Sequence, residues 1–277
     1  MAQLWQWLIE PFRYQFMQTG LLAAVLIAIT AGIIGSYVVL RRLAFIGDAL
    51  AHTALPGVVV AYLNGWSLFG GALAAGVLTA LGIGWMARKS TIREDTAIGV
   101  IFTAMFAFGI VLMSSMQSFR DLSHILFGNI LGVQGSELWL ISIVAGTVIL
   151  ILTLFHKEFE LTSFDAIHAE VMGINADRLR SVLLVLLAFT IVTGIQVVGV
   201  ILTSALLVTP AAAASLLTRN LKSMMAVSAI IGAISAFMGL LISFHWGVSS
   251  GAVIVLLCTG FFAIAVGIQR LQQRGHA

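Results

Sequence analysis

Apolar runs long enough to cross a bilayer recur along almost all of this 277-residue chain, at roughly 19–40, 43–63, 67–87, 96–116, 136–156, 179–197, 199–218, 224–244 and 250–268. Hydrocarbon offers no water to a backbone, so a spanning run must bond its own peptide groups, and at this length that means a helix. The chain is therefore expected to be all-α and polytopic: one membrane domain over 1–277 with eight or nine transmembrane helices. Hydrophobic residues make up 60% and charged ones 9%, proportions that a water-facing surface could not carry. One passage leaves the count open. Residues 179–218 must make a complete hairpin without a polar turn, and eight spans plus a re-entrant piece covered by protein is the alternative.

Basic residues gather between the runs, at Arg41 and Arg42, at Arg88, Lys89 and Arg93, at Lys157, Arg178 and Arg180, at Arg219 and Lys222, and at Arg270 and Arg274. The positive-inside rule assigns all of these to the cytoplasm. Threading the chain accordingly gives an outer amino terminus, an inner carboxyl terminus, and outer loops at 117–135 and 245–249. Residues 1–17, with Trp5, Trp7, Tyr14, Glu10, Pro11 and Arg13, read as an interfacial segment and not as an apolar signal core. Glycines such as Gly70, Gly71, Gly76, Gly232 and Gly239 are expected where helices meet closely. A single cysteine, Cys258, excludes a disulfide framework and a thiolate cluster.

Against this background, Asp48 and His52 stand out in Gly47-Asp48-Ala49-Leu50-Ala51-His52-Thr53-Ala54-Leu55-Pro56-Gly57. Four residues apart on a helix, a carboxylate and an imidazole share one face and can converge on one cation. An ionisable group inside a membrane is costly, so it marks function or satisfies itself as interhelical hydrogen-bond glue. Gly47 and Pro56-Gly57 bracket the pair and suggest a kinked or broken helix, as at transporter binding sites. One hard oxygen and one borderline nitrogen suit Mn²⁺, Fe²⁺ or Zn²⁺ better than Cu⁺. Two ligands are too few for tight binding, and a two-fold dimer would double them.

Two further islands are polar. In the outer loop Ser118 to Gly132, Asp121 and His124 lie one turn apart and could attract a cation at the mouth, or simply be solvated loop residues on a docking surface. His156, His245 and Glu137 read as ordinary residues at span ends. The longest cytoplasmic stretch runs from Lys157 to Arg180, and within its 157–178 region Thr162 to Gly173 carries a cap, acidic residues in the first turn and a glycine stop. Phe164, Ile167 and Val171 would share an apolar face, for a docked partner or for the bilayer surface. No Gly-x-x-x-x-Gly-Lys-Ser/Thr loop and no hydrolase spacing occurs. The chain is thus not expected to be an enzyme, and energy from ATP would come through a partner.

The Gly47 to Gly57 stretch, Arg93-Glu94-Asp95-Thr96-Ala97-Ile98-Gly99, Ser163-Phe164-Asp165 with Ala169 and Gly173, and Val198-Gly199-Val200-Ile201-Leu202 running on to Leu207-Val208-Thr209-Pro210-Ala211 together resemble the membrane permeases of ABC-type manganese, zinc and iron importers. The resemblance implies the ABC importer permease fold, with a helical core related to vitamin B12-type importers. It further implies a homodimer in a prokaryotic cell (inner) membrane, a cytoplasmic ABC ATPase, and an extracellular or periplasmic metal-binding protein. The partners would include membrane lipid and no nucleic acid, and no cofactor would be held beyond the transported Mn, Fe or Zn. It gives Asp48 and His52 the role of metal ligands and makes the helix around 163–173 the coupling helix, with Phe164, Asp165, Ala169 and Gly173. Relatives often read Asp-x-Pro-Ser-Gly where this chain has Gly247-Val248-Ser249-Ser250-Gly251, so an acidic group is missing there. His124-Ile125-Leu126-Phe127-Gly128-Asn129 with Leu131-Gly132 resembles the manganese and iron branch. Two other classes stay open: a proton- or sodium-coupled secondary transporter, and a membrane enzyme with a catalytic metal.

Overall fold

The computed structural model describes residues 10–89, 93–114 and 130–274. Among them the α-helices are α1 (Gln15–Leu40), α2 (Ile46–Thr53), α3 (Leu55–Leu63), α4 (Leu68–Lys89), α5 (Glu94–Ser114), α6 (Gly135–Leu154), α7 (His156–Phe164), α8 (Ala166–Val171), α9 (Ala176–Val198), α10 (Val200–Leu217), α11 (Leu221–Trp246) and α12 (Ser250–Arg274), and no strand occurs. Taking α2 and α3 as one interrupted span, nine segments among the described residues are long and apolar enough to cross a membrane.

The hairpin without a polar turn is real and is made at one residue. Helix α9 ends at Val198, α10 begins at Val200, and Gly199 between them takes φ +84°, a left-handed backbone that glycine enters freely. Thr203 then packs against Gly194, and its hydroxyl donates to the Gly199 carbonyl at 2.7 Å. One glycine and one threonine thus replace the polar loop, and 179–218 forms two spans.

Helices α1 and α9 sit at the centre, α1 on a run of small residues and α9 on Leu183, Leu184 and Leu187. The spanning windows of α1 and α9 are 67% and 72% buried, whereas those of α5 and α12 are 17%. Helix α1 buries Ala23, Ala24, Ala28, Ala31, Gly32 and Gly35 and packs against α10 and α11. Helices α5 and α12 present Val100, Phe108, Val111, Leu256 and Ile264 outward. Lipid tails are as apolar as leucine, so an outward leucine costs little, and small residues set where two helices can approach closely. The crossing of α3 and α4 is an example. The Gly71 carbonyl occupies the place of a Gly57 Cβ, and the Gly57 carbonyl that of a Gly71 Cβ, so any side chain at either position would force the pair apart.

The span ends meet on two faces. On one, Arg88 Nε lies 3.0 Å from Asp177 Oδ2, and Arg180 lies 3.7 Å from Glu94 and 3.6 Å from Asp177. Helices α4, α5 and α9 thereby share the side that the basic residues assign to the cytoplasm. On the opposite side Glu137 caps α6 by accepting from the Gln134 backbone at 2.9 Å. There too residues 10–13 form a short 3-10 turn whose Phe12 stacks on Phe237 at 5.7 Å, and α1 starts at Gln15, inside the stretch expected to be interfacial.

Candidate functional site

The helix carrying Asp48 is launched by the way α1 stops. The Arg42 N–H bonds the Val39 carbonyl at 3.1 Å and the Leu43 N–H bonds the Val38 carbonyl at 2.9 Å, the two bonds of a Schellman turn. Arg42 takes φ +60° in the position usually given to glycine, and Leu43 is buried beneath the turn. Helix α2 then begins at Ile46. In an uninterrupted helix the N–H of residue 56 would bond the His52 carbonyl, but Pro56 has none. The helix breaks at Ala54, just past His52, and resumes as α3.

Asp48 and His52 project from α2 toward different neighbours. Asp48 is exposed, and its Oδ1 accepts a hydrogen bond from Ser204 Oγ of α10 at 3.0 Å. It lines a cavity of about 310 Å³ together with Arg42, Phe45, Asp95 and Phe102. Asp95, at the start of α5, lies 3.7 Å from Arg93. The His52 ring is partly buried against α5, its centroid 5.3 Å from Phe106 at a steep angle and 5.9 Å from Phe102, contacts that restrict how the imidazole can turn. No group of three His, Cys, Asp or Glu side chains gathers among the described residues. Among the described residues, one copy of the chain offers a cation the Asp48 carboxylate and the His52 imidazole, with Asp95 on the same cavity as Asp48. Ser204 was not legible as a partner, since a serine in an apolar span is too common to be a signal.

The region expected to be cytoplasmic differs from the single helix expected over Thr162 to Gly173. It is two helices, and Asp165 is the break: with φ −147° and ψ 94° it leaves the helical region, and its Oδ1 accepts from the His168 N–H at 2.9 Å to cap α8. Thr162 is not a cap. It is buried inside α7, where its hydroxyl turns back to the Glu158 carbonyl at 2.9 Å. Phe164 ends α7, Ala169 is buried in α8, and Gly173 at φ +83° follows its end. Phe164, Ile167 and Val171 are 65%, 78% and 81% exposed. Asp121 and His124 lie outside the described residues.

His156 is not a snorkelling side chain either. Its Nδ1 is 3.1 Å from Tyr37 Oη and its Nε2 is 3.5 Å from Glu160, so it fastens the start of α7 to α1. Beside it, Arg41 Nε donates to Ser163 Oγ and Nη2 to Thr162 Oγ1, each at 3.1 Å. Burial lowers the Arg41 pKa from its ordinary value and nearby Glu94 raises it; the guanidinium stays charged all the same. Sequence reasoning read Arg41 only as a topogenic charge.

Known proteins share this architecture over nearly its whole length. The model of the ABC 3 transport family matches residues 13–269. The manganese transport system membrane protein MntC of Listeria monocytogenes is 45% identical over 253 residues, covering 91% of this chain and 90% of that protein. The chelated iron transport system membrane protein YfeD of Yersinia pestis is 39% identical over 266 residues, covering 96% and 90%. Among solved structures, PsaBC from Streptococcus pneumoniae in complex with Fab superposes with a TM-score of 0.83 at 37% identity, over 95% of each chain. A match of this extent in sequence and in fold is decisive, and the chain belongs to the ABC 3 transport family as a multi-pass membrane permease.

Proposed function

We propose that this permease imports a divalent metal ion, Mn²⁺ ahead of Fe²⁺ and Zn²⁺, across a prokaryotic cell (inner) membrane. It acts as a homodimer, with ATP hydrolysed by a cytoplasmic partner and metal delivered by an extracellular or periplasmic binding protein. Asp48 and His52 bind the ion in transit. The observation that carries this reading is the pair itself: one carboxylate and one imidazole a helical turn apart in an interrupted span, with Asp48 facing an open cavity. A second copy about a two-fold axis would complete a site of two carboxylates and two imidazoles. The relatives' names, manganese and chelated iron systems, support the order of metals. The sequence carries no Gly-x-x-x-x-Gly-Lys-Ser/Thr loop, which supports a partner for ATP hydrolysis, and the exposed Phe164, Ile167 and Val171 would offer that partner a surface.

Affinity and transport need not follow the same order. Carboxylate and imidazole hold Zn²⁺ more tightly than Mn²⁺ by the Irving–Williams series, yet an imported ion must also leave, so Zn²⁺ is expected to bind and obstruct. The test is ATP-driven uptake in proteoliposomes containing permease, ATPase and binding protein, with Mn²⁺, Fe²⁺ and Zn²⁺ offered singly and in competition. Mn²⁺ accumulation inhibited by Zn²⁺ is the expected result. Accumulation of Zn²⁺ without Mn²⁺ overturns the metal order, and uptake driven by the membrane potential without ATP overturns the importer in favour of a secondary transporter.

A further inference from the structure

Arg41 stands at a junction. Behind it lies the last turn of α1, ahead of it the Schellman turn that leads into the Asp48 helix, and across from it α7. A guanidinium has only donors, so Ser163 Oγ and Thr162 Oγ1 must accept from it. Their own protons are then directed onward, from Ser163 to the Phe159 carbonyl at 2.6 Å and from Thr162 to the Glu158 carbonyl at 2.9 Å. The donors run in one consistent direction, from Arg41 into the backbone of α7. One turn earlier, Tyr37 adds a second fastening through its bond to His156 and an edge-on contact with Phe159 at 5.8 Å, and both rings are fully buried. The end of α1 and the whole of α7 are thus clamped together. Residues 41–46 have little play, because Arg42, Leu43 and Ile46 are each held by backbone bonds.

We propose that Arg41 is the positioning residue through which movement of the cytoplasmic helices α7 and α8 reaches the helix bearing Asp48 and His52. The inference rests on the importer reading above. Asp48 is bonded to Ser204 on α10, which is not part of this clamp. A displacement of α7 carried through Arg41 shifts α2 against α10, exchanges the Asp48–Ser204 bond, and so changes what the carboxylate can offer a metal. Lysine cannot substitute, since one ammonium does not reproduce the fork that spans two hydroxyls.

The experiment compares wild type, Arg41→Gln, Arg41→Lys, the double variant Thr162→Val/Ser163→Ala, and the triple combination of that double variant with Arg41→Gln, each assembled with its ATPase and binding protein in proteoliposomes. Metal bound to the permease, ATP hydrolysed and metal accumulated are read separately. Arg41→Gln and Arg41→Lys are expected to bind metal and hydrolyse ATP as wild type does while metal moved per ATP falls about tenfold, a magnitude ordinary for coupling between sites. Removing the hydroxyls should reproduce that loss, and the triple combination should add nothing to it, because the residues act as one unit. Unchanged metal per ATP in the Arg41 variants overturns the proposal, as does a fall in transport that only mirrors a fall in assembly or metal binding. If Arg41→Gln does not assemble, normal coupling in the hydroxyl-deleted variant overturns it equally. A wild-type complex without ATP-driven uptake would remove the importer reading and this inference together, whereas a transporting wild type beside equally transporting variants removes the inference alone.

Discussion

Two short helices of this chain carry an aspartate and a histidine about one turn apart, and they differ in what the aspartate is left to do. In α8, Asp165 stands at the amino terminus and its carboxylate folds back onto the His168 N–H, the ordinary duty of a capping residue. In α2, Asp48 lies in the first turn and not at the cap position, and its carboxylate accepts a hydrogen bond from Ser204 of another span. The histidines differ likewise. His52 is set against Phe102 and Phe106, while His168 lies on a helix whose Ile167 and Val171 face outward. Composition alone does not separate such pairs. Position along the helix and the neighbouring element do.

The comparison is broken or sharpened by four substitutions. Asp48→Ala and His52→Ala should have the largest effect, lowering ATP-driven metal uptake at least about a hundredfold, beyond what loss of an outer-shell partner brings. Expression and dimerisation should be intact, checked by size-exclusion chromatography beside the uptake assay. Uptake at the wild-type level in both would mean that the α2 pair is no more functional than the α8 pair. Phe164→Asp comes next. It places a charge on the exposed end of α7 and is expected to abolish co-purification with the ATPase from detergent, leaving metal binding by the permease in place. Asp165→Ala should be the mildest. Loss of an N-cap costs about 1 kcal/mol, and a six-residue helix has no stability of its own to offset it. Hydrogen exchange of the amides over 168–172 should quicken about fivefold by the same figure, with metal binding unaltered. A collapse of metal affinity in that variant would erase the distinction between the two aspartates.

Much of this was legible in the residues, and the reason is that the bilayer is a severe solvent. It sets a span length and forbids open backbone, so the expected spans coincide with observed helices to within a few residues, and the break near Pro56 follows from a missing N–H. The break at Asp165 was less legible. Thr162 and Asp165 are both good capping types, and what decided between them was Arg41, which holds the Thr162 hydroxyl inside α7 and leaves Asp165 to cap.

By itself, then, the sequence determined an all-helical membrane protein, and an acid and an imidazole one turn apart in a broken helix, because each of these depends on local pattern and on the solvent. Only the tertiary structure decided that 179–218 turns on Gly199, that Ser204 holds Asp48, and that Arg41 and His156 bind α1 to α7. The bonds of Ser204, Arg41 and His156 join residues 119 to 156 positions apart. No local pattern encodes those bonds, since a serine, an arginine or a histidine acquires such a partner only when the spans have closed upon one another.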